Sequence, residues 1–136
     1  MNREEIKQII PHREPMLLVD EAELIDETCA KGKYTVRGDE WFLQGHFPGN
    51  PVVPGVILCE IMAQTCSVIL ADKVKGKTPY FTGLNNVKFR NQVKPGDVFE
   101  IEGRITKMRG NFCFGEATGS VDGRICVSAE FSFAII

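Results

Sequence analysis

The chain has 136 residues, 43% of them hydrophobic and 25% charged. That supports one domain with a real core, spanning 1–136, and leaves too little for two. A net charge of −2 supplies no global field for nucleic acid or an anionic membrane, and the charged opening MNREEIKQIIPHREP lacks the apolar run of a secretory signal.

Residues 3–9 predict a short helix that ends before Pro11. Met16 to Ile25 and Ala30 to Arg37 read as two strands, with turn chemistry at Asp26, Glu27 and Thr28. Residues 38–54 form a long connection rich in Gly and Pro. It also carries Trp41, Phe42, Leu43 and Phe47, which is too aromatic for disorder.

Gly55 to about Asp72 is the clearest helix, with Pro54 suited to its first turn. Its apolar residues point in almost every direction. Glu60, Gln64 and Ser67 fall at i, i+4 and i+7 and make one narrow polar stripe. The window from Val52 to Ala71 is apolar enough to raise a membrane question. Pro54, Gly55, Glu60 and Gln64 favour a buried helix instead.

Four strands follow. Val87, Phe89 and Val93 alternate with Lys88, Arg90 and Gln92, and Phe99, Ile101 and Ile105 with Glu100, Glu102 and Arg104. Phe112 to Val121 is weaker but strand-like, and Ile125 to Ile135 alternates throughout. Period-two patterning marks antiparallel strands with one wet face. KPGD at 94–97, MRGN at 108–111 and VDGR at 121–124 supply the turns. The expected architecture is α+β, a curved antiparallel sheet wrapped around one long buried helix. A sheet covers only one side of a helix, so the remaining apolar surface invites a second copy.

The five cysteines, at 29, 59, 66, 113 and 126, are odd in number and show no CxxC spacing. They read as reduced core fillers in a cytoplasmic protein. His12, His46 and scattered carboxylates offer no zinc spacing, and no phosphate-binding glycine motif is present.

The chemistry concentrates in GHFPGNPVVPG, from Gly45 to Gly55. A lone loop histidine such as His46 is more often structural than catalytic. Glu60, a carboxylate on an apolar helix, is costly unless paired, protonated or functional. The helix start at Gly55 adds free N–H groups and room for close approach by a ligand. A base, a carboxyl group and an oxyanion-type donor are the parts needed to remove a proton beside a carbonyl and expel a neighbouring hydroxyl. The prolines and glycines would hold His46 in orientation, with strain expected near His46 to Pro48, including a cis peptide.

PHREPMLLVD at 11–20, GHFPGNPVVPGVILCEIMAQ at 45–64 and VKFRNQVKPGD at 87–97 closely resemble the 3-hydroxyacyl-(acyl carrier protein) dehydratases of the FabZ type, over nearly the whole chain. The resemblance implies a hot-dog fold and dehydration of (R)-3-hydroxyacyl thioesters to trans-2-enoyl thioesters in fatty acid elongation. It implies no metal or redox cofactor, and an acyl carrier protein as partner. His46 matches the family's histidine, Glu60 its helix glutamate and Gly55 its helix-start glycine. The resemblance further implies that the histidine and glutamate meet across a homodimer, which in the family often builds a trimer of dimers. Related dehydratase/isomerases carry aspartate where this chain has Glu60. Glu14 and Cys59 depart from the usual aromatic and aliphatic residues at their positions.

The mechanism this implies has neutral His46 taking the α-proton and Gly55 N–H stabilising the enolate-like oxygen. Glu60 protonates the departing hydroxyl or, if ionised, holds it while His46 shuttles the proton. Gln64 orients the Glu60 carboxyl or serves as a helix-interface amide. Tyr80 gates an acyl tunnel in this picture, or is ordinary sheet packing. Lys88, Arg90, Lys94, Arg104, Lys107 and Arg109 offer either a docking patch for an acidic carrier or a solvated sheet face. Arg13 and Asp20 look structural. Two other classes compete: a hot-dog acyl-CoA thioesterase and a non-catalytic acyl-thioester-binding protein.

Overall fold

The computed structural model describes residues 1–136. Six strands form one antiparallel sheet in the order β1-β2-β4-β5-β6-β3. They are β1 (Glu21–Leu24), β2 (Cys29–Thr35), β3 (Pro79–Phe89), β4 (Val98–Arg109), β5 (Phe112–Val121) and β6 (Arg124–Ile135). Helix α2 (Gly55–Ile69) packs against β2, β4, β5 and β6. This is the wrapped-helix architecture expected from the patterning.

Alternation explains the core. Phe99, Ile101 and Ile105 of β4 face inward, as do Val127, Ala129, Phe131, Phe133 and Ile135 of β6. They meet Ile57, Leu58, Ile61, Met62 and Cys66 of the helix. The sheet wraps closely because two strands present glycine beneath the helix. A Cβ on Gly32 would sit 2.7 Å from Thr65 Oγ1, and one on Gly103 would collide with Cys66 Sγ. Register shifts between Ile105 and Lys107, and between Gly119 and Ser120, add the local bends that curvature needs. Cys59, Cys66, Cys113 and Cys126 are buried, and all five thiols are free. Burial pushes the Cys113 thiol up to about 11.

Several boundaries differ from the sequence reading. The first helix, α1, spans only Arg3–Lys7 and carries a capping box between Asn2 and Glu5. The first strand begins at Glu21 rather than Met16. Residues 16–18 spend backbone groups on the helix instead: the Gln64 amide donates to Met16 O at 2.7 Å and accepts from Leu18 N–H at 2.8 Å. The central helix stops at Ile69, and a separate turn, α3, covers Ala71–Val74. Thr65 and Ser67 hydroxyls donate back to Ile61 O and Ala63 O, and Leu70 N–H tightens onto Ser67 O. Such back-bonding bends and ends helices. No helix is long and apolar enough to cross a membrane.

Strand β3 departs most from its pattern. Phe89 is about half exposed, as are Tyr80, Phe81 and Leu84, and Val87 is only half-buried. Ile125, at the start of β6, is exposed as well. The helix lies chiefly over β2, β4, β5 and β6, so it covers the β3 edge only in part in a single chain.

Candidate active site

The loop before α2 is built as a series of tight turns. Gly45, Phe47 and Gly49 all have positive φ, at 77°, 63° and 82°. Glycine adopts this readily, but a bulky residue such as Phe47 rarely does. The strain expected here therefore sits in the Phe47 backbone. The expected cis peptide is not at His46–Pro48; the cis bond in the chain is Glu14–Pro15. His46 N–H donates to Leu43 O at 3.2 Å, and Asn50 N–H to Phe47 O at 2.8 Å. The Phe47 ring lies 4.3 Å from the imidazole, centroid to centroid.

One contact fixes the chemistry of His46. Its Nδ1 lies 2.9 Å from the carbonyl oxygen of Val52. A carbonyl only accepts, so Nδ1 carries the hydrogen, and the Nε2 lone pair of the neutral ring is left for a proton. Val52 lies three residues before the helix start at Gly55, so this bond ties the His46 ring to the segment that leads into the helix.

At that start, Gly55 and Val56 N–H groups have no partner within the chain. Val56 is 72% exposed. The reason for glycine differs from the one expected. A Cβ on Gly55 would stand 2.7 Å from the ring edge of Phe89, so the space beside its Cα belongs to that side chain. The Gly55 N–H remains without a partner within the chain.

The polar stripe of α2 faces a small cavity of about 40 Å³, lined among others by His12, Glu60, Gln64, Ser67, Phe81 and Phe133. That is room for about one water molecule, not for an acyl chain. Gln64 is fully buried and donates to Glu60 Oε2 at 2.8 Å alongside its two bonds to the backbone. Glu60 Oε2 also lies 3.5 Å from Nε2 of His12.

One chain thus joins Glu60, Gln64 and His12. His46 is not among the residues lining this cavity, and neither is Tyr80. Strand alternation turns Tyr80 outward while its neighbours Pro79 and Phe81 line the cavity.

His12 went unnoticed in the sequence as a neighbour of Glu60. It lies within PHREPMLLVD, but no spacing says that residue 12 meets residue 60. Glu40 was missed as well. Its buried carboxylate accepts from Tyr34 Oη at 2.6 Å, Arg37 N at 2.9 Å and Gly38 N at 2.8 Å. Burial pushes this carboxyl up, but those donors outweigh burial and hold it below the usual range. The network anchors the loop leading to Trp41–Leu43 and on to His46.

Several other sequence candidates make bonds within the chain. Arg3 and Lys7 pair with Glu14. Asp20 accepts from Arg3 and Thr35, and Arg13 donates to the carbonyls of Lys7, Ile10 and His12. Lys88, Arg90 and Arg104 share one open groove with Glu102, Glu116 and Glu130, and Arg104 is paired with Glu116 at 2.5 Å. That groove is mixed in charge rather than cationic.

A helix gripped by a curved antiparallel sheet, with an oriented imidazole in the loop before it and unpaired amides at its start, defines a hot-dog protein. The structure is similar to the dehydratase heterocomplex ApeI:P from Xenorhabdus doucetiae, with a TM-score of 0.82 at 21% identity over 95% of this chain and 89% of that one. It is also similar to a hypothetical thioesterase with coenzyme A from Streptococcus pneumoniae, with a TM-score of 0.66 at 15% identity over 85% and 84%. At such identities the likeness concerns the fold alone.

Sequence narrows the class. Residues 10–130 match the model of the FabA-like domain. The 3-hydroxyacyl-(acyl carrier protein) dehydratase FabZ of Clostridium perfringens is 49% identical over 99% of both chains, and that of Ligilactobacillus salivarius 48% over 96% of both. The chain belongs to the FabZ family of 3-hydroxyacyl-(acyl carrier protein) dehydratases.

Proposed function

We propose that this protein, acting as one domain over residues 1–136, dehydrates (R)-3-hydroxyacyl chains carried on acyl carrier protein to trans-2-enoyl chains, with His46 and Glu60 as its acid–base pair. The observation that carries the residue assignment is the His46 Nδ1–Val52 O contact, which frees Nε2. Nε2 takes the α-proton. The electron pair moves toward the thioester oxygen, which the open N–H groups of Gly55 and Val56 receive with the positive end of the α2 dipole. The pair then returns to form the Cα–Cβ double bond as the Cβ–O bond breaks. The departing hydroxyl takes its proton from Glu60, directly or after passage from His46, and leaves as water.

The acyl chain needs more room than the cavity beside Glu60 provides. A second copy, docked along the exposed β3 edge with Tyr80, Phe81, Leu84 and Phe89, fits that need. In this reading the His46 of one protomer faces the Glu60 of its partner, and Tyr80 borders the chain's entry.

The test is incubation with a 3-hydroxybutyryl thioester. The expected outcome is enoyl absorbance without release of free thiol. Thiol release without enoyl product would make the protein a hydrolase. His46→Ala should lower kcat by roughly 10²–10⁴-fold with an unchanged circular-dichroism spectrum.

A further inference from the structure

The two histidines of this chain turn different ring nitrogens toward their neighbours. His46 gives its Nδ1 hydrogen to Val52 O and keeps Nε2 as an acceptor. His12 turns Nε2 toward Glu60 Oε2, 3.5 Å away, while its Nδ1 is buried without a partner. Were the hydrogen on Nδ1, a buried donor would go unmet and a lone pair would face an oxygen. With the hydrogen on Nε2, a donor faces the carboxyl group, and only a lone pair is left unsatisfied. The second arrangement is the less costly.

A buried polar atom without a partner calls for an explanation. A leucine or methionine would fill the same space with no orphaned nitrogen. What those side chains lack is the donor aimed at Glu60. The surrounding bonds hold that donor in place. Arg13 clamps the carbonyls of Lys7, Ile10 and His12, at 3.0, 3.0 and 2.7 Å. Gln64 ties Met16 and Leu18 to the helix on the other side. The segment bearing His12 is therefore pinned on both flanks.

We infer that His12 is a positioning residue for Glu60. Together with Gln64 it engages Oε2 and leaves Oε1, which has no partner within the chain, to meet the substrate hydroxyl. At 3.5 Å the His12 contact is longer than a hydrogen bond, and this role requires it to shorten when substrate binds. This inference rests on the reaction proposed above and assigns His12 no contact with substrate.

The test compares His12→Gln, His12→Asn and His12→Leu in the full-length protein, using the same 3-hydroxybutyryl thioester assay. A glutamine amide reaches about as far as Nε2, whereas an asparagine amide stops near Nδ1. His12→Asn and His12→Leu should lose about tenfold in kcat, the scale of one misplaced hydrogen bond, with KM within about twofold. His12→Gln should recover most of that loss. In a Glu60→Gln background, replacing His12 should change kcat no further.

Should His12→Leu fail to fold, the glutamine and asparagine variants decide alone. Equal kcat in those two, or an undiminished effect of His12 in the Glu60→Gln background, makes His12 a packing residue and overturns the inference while leaving the reaction intact. Absence of enoyl product from the unsubstituted protein overturns the reaction, and this inference with it.

Discussion

Replacing Gln64 with Met keeps the volume of the side chain but removes every hydrogen bond it makes. Gln64 is 0% exposed and holds three groups at once: Met16 O at 2.7 Å, Leu18 N–H at 2.8 Å and Glu60 Oε2 at 2.8 Å. The Leu18 bond is fully buried, and a buried amide left unmet costs about 1–3 kcal/mol. The Met16 carbonyl is partly buried and finds some water, so its loss costs less. The expected destabilisation is about 2–3 kcal/mol. For a chain of this size each kcal/mol moves Tm by roughly 3–4 °C, so Tm should fall by about 8 °C. The assay is thermal unfolding at fixed protein concentration, because association would otherwise shift Tm. Gln64→Glu is the informative companion. It keeps an acceptor for Leu18 N–H, loses both donated bonds and sets a second carboxyl group beside Glu60. Both variants should also lower kcat through a disoriented Glu60. A Tm for Gln64→Met within about 1 °C of the unsubstituted protein would refute the claim that this amide joins residues 16–18 to the helix.

Two further outcomes follow from contacts elsewhere. Gly55→Ala places a methyl group against the Phe89 ring and should lower kcat by about tenfold through a displaced helix start. Gly55→Ala with Phe89→Ala should recover much of that activity, and failure to recover in the thioester assay would mean that the ring is not the obstacle. Glu40→Gln should flatten the acid side of the stability profile. The Glu40 carboxyl is held below its ordinary value when folded, so its contribution is complete above about pH 4.5 and fades as pH falls through the lowered value. Tm measured from pH 6 down to pH 3 should therefore drop less steeply in Glu40→Gln, and parallel curves would remove Glu40 from the account.

Much of this protein could be read along the chain because the relevant signals are local. Alternation in β4 and β6 reports one wet face, and KPGD, MRGN and VDGR mark chain reversals, because each depends on neighbours a few residues apart. The stripe of Glu60, Gln64 and Ser67 arises the same way, from the helical repeat. The family resemblance rested on three contiguous motifs of this kind.

Other features required the packed chain. Met16 to Val19 has the composition of a strand, yet a glutamine 46 residues after Leu18 takes the backbone bonds that a neighbouring strand would have made. Phe89 alternates as a core residue should, but it lies on an edge strand where only the helix start touches it, filling the space that Gly55 leaves beside its Cα. The meeting of His12 with Glu60, and the tautomer of the neutral His46 ring, depend on which carboxyl or carbonyl group packing brings to each ring nitrogen. Periodicity encodes which face of an element is apolar. It does not encode which distant residue that face will touch, because that contact is chosen by the summed fit of all the elements at once.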